Sequence, residues 1–252
     1  MLIRTWILTV LSAAFGLFFI GCEKQLPESH PSAPTETTEK ETAMPVTVQW
    51  FGHASFRLST GDTVIYIDPW KLSDAPHNGS LVLVSHSHHD HYSADDIGEV
   101  AGDGTEIIAS ADVIKKHGSG RAIKPGQTIE AAGVRVTAVA AYNPAKQFHP
   151  KANNWVGFVV EIGGKRIYYA GDTDETPEMK ALTNIDLALL PVGGTYTMNA
   201  QEAATAVSHF QPKQALPYHW GDIVGSRKDA EQFKKQASCQ VTVLDPGGSM
   251  TL

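Results

Sequence analysis

LVLVSHSHHDH, residues 81–91, joins four apolar residues to a cluster of metal-ligand side chains, and the rest of the chain is read outward from it. Leu81, Val82, Leu83 and Val84 form a short unbroken apolar run, the pattern of a buried strand. His86, His88, Asp90 and His91 follow at once. Two apart in extended chain, His86 and His88 project to the same side. Ser93, with Asp96 three residues on, reads as a helix cap, and the curl into that helix turns Asp90 and His91 toward the same space. Neutral imidazoles and a carboxylate at one strand end are ligands for first-row metals. Without an ion, such groups at the mouth of a buried strand would repel one another or stand idle. His89 is expected to point away as an ordinary exposed histidine.

The chain around this stretch has 252 residues, 42% hydrophobic and 19% charged, with 22 Gly and 14 Pro, which fits one sizeable globular domain. Residues 1–21 stand apart. Arg4 is their only charge, and an apolar run from Trp6 to Ile20 precedes Gly21-Cys22, the layout of a secretory signal. An uncleaved N-terminal anchor is the other reading, though the segment is short for a span. Phe19-Ile20-Gly21-Cys22 resembles the bacterial lipoprotein cleavage box, in which the cysteine is lipidated and becomes the mature N-terminus. Residues 22–45 then form a tether, since four prolines among Ser, Thr and Glu cannot bury a core. The expected location is therefore the bacterial cell envelope, held through Cys22, in the outer membrane where the host has one. Cys239 has no intramolecular partner to pair with once Cys22 is lipidated, and is expected to be a small buried residue. The formal charge of −7 offers no basic surface, which argues against nucleic-acid binding.

The domain is expected to occupy residues 46–252. Strands are read at 46–50, 55–58 and 64–67, the last two joined by a turn at 59–62, with Pro69 ending the third. After the strand at 81–84 come a helix at 94–100, a strand at 106–109, a helix at 111–117 and an amphipathic strand at 134–140. Gly163-Gly164 marks a hairpin between strands at 156–162 and 166–170. A short helix at 178–182, a buried strand at 186–190, a helix at 200–210, a strand at 215–218, a helix at 228–236 and a closing strand at 241–244 follow. Asn199 and Glu202 form a capping box for the 200–210 helix. Two packed sheets with helices outside would bury these apolar runs.

Three later residues share the position of the first cluster, just beyond a strand: His149, Asp172 and His219. Singly, each is an ordinary cap or loop residue; as a set, strand ends along one sheet edge can converge. Together with Gly52-His53, Ile67-Asp68-Pro69, Gly171-Asp172-Thr173 and the His-x-His-x-Asp-His run, they make residues 46–252 resemble the metallo-β-lactamase-fold hydrolases. Leu190 to Met198 and Tyr218-His219-Trp220-Gly221 look nearest the branch containing uncharacterised bacterial metal-dependent hydrolases, ascorbate-phosphate lactonases and N-acylphosphatidylethanolamine phospholipases. The resemblance implies a four-layer αββα sandwich of the α/β class. It implies His86, His88 and His149 at one metal, Asp90, His91 and His219 at a second, and Asp172 bridging both. True β-lactamases of this fold place Cys or Ser where Asp172 stands, and iron redox members commonly carry Glu in place of His88 and an added flavin domain.

The activity so implied is hydrolysis of a phosphodiester, lactone, ester or amide in a small-molecule or lipid-like substrate, with two divalent cations, Zn foremost and Mn or Fe as alternatives. A cation pair lowers the pKa of a shared water and polarises the oxygen under attack. The rival readings are a non-catalytic metal-binding or sensing lipoprotein and, less favoured, a true β-lactamase. Asp90, Asp172 and Tyr196 are the candidate catalytic residues, Tyr196 as a donor to a developing oxyanion or else as a packed loop tyrosine. Asp68 and His53 could orient ligands, although Asp68-Pro69 reads equally as a turn. Selectivity is expected from the loops at 143–154 and 193–198, with Asn143, Lys146, Phe148, Trp155 and Tyr196 on their borders and Lys146 as the residue to meet an anion.

Overall fold

Doubly buried strands and glycine-turned hairpins account for most of the architecture in the computed structural model, which describes residues 44–72 and 74–252. β1 (Thr47–Gly52), β2 (Ser55–Thr60) and β3 (Thr63–Ile67) form an antiparallel meander. Gly61, at φ +50°, sits in the β2–β3 turn, where a left-handed backbone favours glycine. β4 (Gly79–Val84) joins β3 in parallel. α1 (Ala94–Val100) then runs straight into β5 (Ala101–Ala109), and α2 (Ala111–His117) leads to the short β6 (Arg121–Ala122). β7 (Thr128–Ala131), β8 (Val134–Ala140), β9 (Val156–Ile162) and β10 (Lys165–Tyr169) make a second meander. α3 (Pro177–Lys180), β11 (Leu187–Pro191), α4 (Ala200–Phe210), β12 (Gln214–Tyr218), α5 (Arg227–Gln236) and β13 (Gln240–Val241) extend it by parallel strands. β14 (Ser249–Thr251) returns to the edge of the first sheet beside β1.

The two seven-stranded sheets run β14-β1-β2-β3-β4-β5-β6 and β13-β12-β11-β10-β9-β8-β7. Each is antiparallel in one half and parallel in the other, so the halves share a layout without sharing sequence. Their facing sides hold the main core, with Trp50, Phe56, Ile65, Ile67, Leu81 and Leu83 from one sheet against Phe158, Ile167, Tyr169, Leu189 and Tyr218 from the other. Tyr66, Val82 and Val84 point the opposite way, into a second layer with Ile97, Val100 and Val113 of α1 and α2. This explains why Leu81 to Val84 is apolar at every position: odd residues fill the gap between sheets and even residues pack under helices. α3, α4 and α5 cover the outer side of the second sheet. The result is the expected αββα sandwich.

Several element boundaries depart from the sequence reading, the following most. β5 begins at Ala101, not Glu106, because a bulge at its polar, glycine-bearing start lets Gly79 pair with Ala101 before Leu81 pairs with Glu106. β6 and β7 are edge strands too short or too polar to show periodicity; β7 turns into β8 through Ala132 and Gly133, both at positive φ. α3 starts at Pro177, with Thr176 accepting the Met179 N–H as its cap. The closing strand is Ser249–Thr251, because the Asp245-Pro246-Gly247-Gly248 turn sends the chain across to β1 while β13 ends at Val241. Cys239 is half-buried against the core, not fully buried. The signal segment, Cys22 and the tether to residue 43 lie outside the described residues. Among the described residues no helix is long and apolar enough to cross a membrane.

Candidate metal centre

Parallel strands deliver their C-terminal ends to one edge of the sandwich, the place where open α/β sheets commonly carry their chemistry. Asp68 follows β3, the His86–His91 cluster follows β4, Asp172 follows β10 and His219 follows β12. β8, parallel to β10 through the intervening β9, sends the loop bearing His149 to the same edge. After β4 the chain stays extended through His86 and His88, whose rings lie 4.7 Å apart with Nε2 and Nδ1 at 3.1 Å. It then turns tightly, the N–H groups of His91 and Tyr92 both donating to the His88 carbonyl, before Ser93 Oγ accepts the Asp96 N–H and caps α1. That turn brings Asp90 and His91 inward. His89 is left with its side chain 80% exposed, as expected.

All seven expected ligands meet. One ring nitrogen from each of His86, His88 and His149 lies within 4.8 Å of the others, and so do donor atoms of Asp90, His91, His219 and His53. Asp172 lies between the two groups: Oδ1 is 3.2 Å from His91 Nε2, and Oδ2 is 3.2 Å from His149 Nε2 and 3.1 Å from His219 Nε2. Yet His91 Nε2, His149 Nε2, His219 Nε2 and Asp172 Oδ1 are buried with no hydrogen-bond partner. They crowd together without aiming at one another. Orphaned buried polar atoms are expensive, and a cation at their shared focus would satisfy them together. By donor chemistry and by these orphaned atoms, the residues fit metal ions.

The side chains behind the ligands decide which ring atom faces inward. Asp68 is fully buried and accepts four hydrogen bonds: from Ser85 N at 2.7 Å, Ser85 Oγ at 2.5 Å, His91 Nδ1 at 2.6 Å and Tyr169 Oη at 2.6 Å. With Nδ1–H committed to Asp68, His91 turns Nε2 toward the cluster. Ser85 Oγ, having donated to Asp68, accepts from His86 Nδ1 at 2.9 Å and fixes that tautomer likewise. Asn143 Oδ1 does the same for His149 Nδ1 at 2.8 Å. His53 Nε2 meets Asp90 Oδ2 at 2.9 Å, and the His53 carbonyl accepts the His219 N–H at 2.9 Å. Trp155, anchored by its Nε1–H to Asp112 at 2.8 Å, packs its ring 4.7 Å from His88 and 4.8 Å from His86. Thus Asp68 is an orienting residue, not a turn former alone.

The backbone is strained at these same points. His53, Asp68 and His219 all have positive φ, at 46°, 44° and 61°, a region non-glycine residues occupy at a cost. Gly193 is required for the His219 turn, because a Cβ there would stand 2.2 Å from the His219 carbonyl oxygen. Electrostatics follow the geometry. Burial, followed by the nearby His91, holds the His86 imidazole well below its ordinary pKa. Burial also lowers His88 and His53. Against burial, Asp172 and then Asp68 hold His91 well above its usual value. Asp172 itself is kept well below the carboxylate range, against burial, by His219 and His91. Burial and the Asp68 charge keep Tyr169 a neutral phenol, able to donate.

A cavity of about 450 Å³ opens onto the cluster, and Tyr196 lines it beside Asp90, Asp172 and Phe148. The other expected selectivity residues do not reach it. Lys146 Nζ is held by Asp174 Oδ1 at 2.5 Å and the Thr197 carbonyl at 2.8 Å, so it is not poised to meet an anion. Asn143 is occupied with His149 and with the Tyr196 carbonyl at 3.0 Å, and Trp155 is buried behind the histidines. Sequence reading missed Ser85, Tyr169, Asp112 and Ile223. A serine after a strand and a tyrosine inside one carry no distinguishing pattern: the role of Ser85 arises from the pairing of β3 with β4, and that of Tyr169 only when the two sheets meet.

Residues 47–219 match the family described as Beta-lactamase superfamily domain. A UPF0173 metal-dependent hydrolase of Nitratidesulfovibrio vulgaris strain DP4 is 33% identical over 238 residues, spanning 83% of this chain and 96% of its own. Another, from Pyrococcus abyssi, is 34% identical over 229 residues, spanning 82% and 100%. A solved structure from Parabacteroides distasonis, carrying the assignment of metal-dependent hydrolase, superposes with a TM-score of 0.72 at 33% identity, covering 79% of this chain and 92% of that one. By the residues matched and the lengths covered, the chain belongs to the beta-lactamase superfamily and, within it, to the UPF0173 family of metal-dependent hydrolases.

Proposed function

We propose that the chain is a dinuclear hydrolase, with His86, His88 and His149 holding one divalent cation, Asp90, His91 and His219 the other, and Asp172 both. The observation that carries this is Asp172, whose two oxygens contact histidines of both groups while the inward nitrogens stay unpaired. Mixed imidazole and carboxylate donors suit Zn first, with Mn or Fe as alternatives. When bound, such a pair supplies an activated water and polarises the oxygen of a phosphodiester, lactone, ester or amide. The chain's own work is orientation. Asp68, Ser85 and Asn143 fix three tautomers, His53 holds Asp90, and Asp172 places negative charge between the two groups. Tyr196, whose presence on the cavity wall supports the reading, would donate to a developing oxyanion.

Metal analysis of protein purified without added metal, followed by a panel of ester, lactone and phosphodiester substrates with and without chelator, tests this reading. Two ions per chain and chelator-sensitive turnover are expected. Metal without turnover would favour a binding or sensing protein instead. The segments Leu190 to Met198 and Tyr218 to Gly221 support a finer placement near ascorbate-phosphate lactonases and N-acylphosphatidylethanolamine phospholipases; lactone and phosphodiester turnover in the same panel tests it. Envelope anchoring through Cys22 belongs to the same proposal, supported by the apolar segment ending at Gly21-Cys22 and the Pro-rich tract after it. Cys22→Ser should abolish lipid labelling and release the protein from the membrane fraction; lipid labelling that survives the change would overturn it.

A further inference from the structure

Three separate loops place aromatic or aliphatic side chains at the mouth of the metal-ligand cavity. Phe148 comes from the loop after β8, Tyr196 from the loop after β11 and Ile223 from the loop after β12, and all three line the cavity with His88, Asp90 and Asp172. Large hydrophobic side chains that are exposed number three among the described residues: Met44, Phe148 at 40% and Ile223 at 38%. A single exposed apolar residue needs no explanation. Two of three meeting at one cavity, with the Phe148 ring edge-on to Tyr196 at 4.8 Å, form a built surface.

Charge points the same way. No lysine or arginine among the described residues lines this cavity. The lysine nearest in sequence, Lys146, is neutralised by Asp174 and the Thr197 carbonyl, with Glu202 at 3.6 Å. The carboxylates that do line the cavity, Asp90 and Asp172, face the histidines. A substrate anion at the reacting centre could be met by the cations, but one carried further out would meet no lysine or arginine, only the polar side chains of Gln147 and His89 beside Phe148 and Ile223. Desolvating such a charge without a counter-ion is unfavourable.

We infer that the part of the substrate flanking the scissile bond is neutral and apolar, an alkyl or aryl group packed on Phe148, Tyr196 and Ile223. The inference rests on the hydrolase reading above and narrows it. Hydroxamates test it independently of the bond cleaved, because the head group chelates the cations whichever substrate class is native. Binding of acetohydroxamate, hexanohydroxamate and the ω-carboxylate analogue adipic monohydroxamate to metal-loaded protein is measured by calorimetry, with metal content assayed in the same sample. Each methylene buried should tighten binding about fourfold. Hexanohydroxamate should therefore bind at least about tenfold tighter than acetohydroxamate, and the carboxylate analogue no tighter than acetohydroxamate. Phe148→Ser should reduce the chain-length ratio, and Ile223→Lys should shift preference toward the carboxylate analogue. Metal-loaded protein that binds the carboxylate analogue as tightly as hexanohydroxamate would overturn this inference and leave the hydrolase reading standing. Protein that takes up no metal would overturn both.

Discussion

Asp68→Asn is the sharpest test of how the cluster is held. The native carboxylate receives three donors on Oδ2, from Ser85 Oγ, His91 Nδ1 and Tyr169 Oη, and one on Oδ1, from Ser85 N. An asparagine offers one acceptor oxygen. In its better orientation, that oxygen keeps the three Oδ2 donors and the amide nitrogen confronts the Ser85 N–H. The Ser85 N–H and the amide N–H facing it are then both left unpaired, at about 1–3 kcal/mol each, and three charge-assisted bonds become neutral ones, each losing about 1 kcal/mol. Relief of the buried charge offsets part of this, leaving a net cost of about 2–4 kcal/mol. For a domain of this size that lowers Tm by roughly 4–16 °C. The backbone does not confound the result, because asparagine tolerates the positive φ found at Asp68. His91 would also lose its strongest tautomer constraint, so metal affinity, measured by competition with a chelator, should fall about 10–100-fold. Tyr169→Phe is the companion: it removes one donor, should cost about 1 kcal/mol, and leaves the Asp68–His91 contact in place, so affinity should change little. Parental metal affinity in Asp68→Asn would refute the orienting role, whatever happened to its Tm.

Asp172→Ala should remove chelator-sensitive turnover and lower metal content by at least one ion per chain; full occupancy at full rate would exclude bridging. Metal uptake should release a proton at neutral pH. His91 is held above its ordinary pKa by Asp172 and Asp68, so the metal-free protein carries a proton there that a cation must displace, and affinity should rise as pH rises. Calorimetry in buffers of different ionisation enthalpy counts those protons; a count of zero would contradict the assignment. Lys146→Ala should leave substrate ranking unchanged and affect loop order only, since the ammonium is spent on Asp174 and Thr197. A changed ranking would show that Lys146 contacts substrate after all. Tyr196→Phe should lower kcat more than it raises KM while metal content stays at the parental level; parental kinetics would leave Tyr196 as a packing residue.

The candidate ligands were legible in the sequence because most lie within a local pattern, a strand and then a ligand-type residue at its end; His149, in the loop well beyond Ala140 at the end of β8, is the exception. His86, His88, Asp90 and His91 needed only eleven residues of context, and α1, α2, β8, β9 and α4 kept their expected bounds because caps and periodicity are local too. What resisted reading was set across the sandwich. Asp68 and Tyr169 are 101 residues apart in the chain and lie on different sheets, so nothing in either segment announces their 2.6 Å contact. Ser85 is an unremarkable hydroxyl until the parallel pairing of β3 and β4, within one sheet, brings Asp68, His86 and His91 around it.

Lys146 failed as an expectation for the same reason, from the opposite direction. A lysine in a polar loop near a cation site invites an anion-binding role, yet the partners that occupy it, Asp174 and Thr197, come from the loops after β10 and β11. Removing that cation from the account is what exposes the apolar character of the cavity. Chemistry and selectivity therefore reside on different parts of one edge. The activating groups come from strand ends, strained into place at His53, Asp68 and His219 and locked by buried hydrogen bonds. The groups that meet the rest of the substrate come from loop positions such as Phe148 and Ile223, which bear little of the fold's stability and can change without disturbing the ligands.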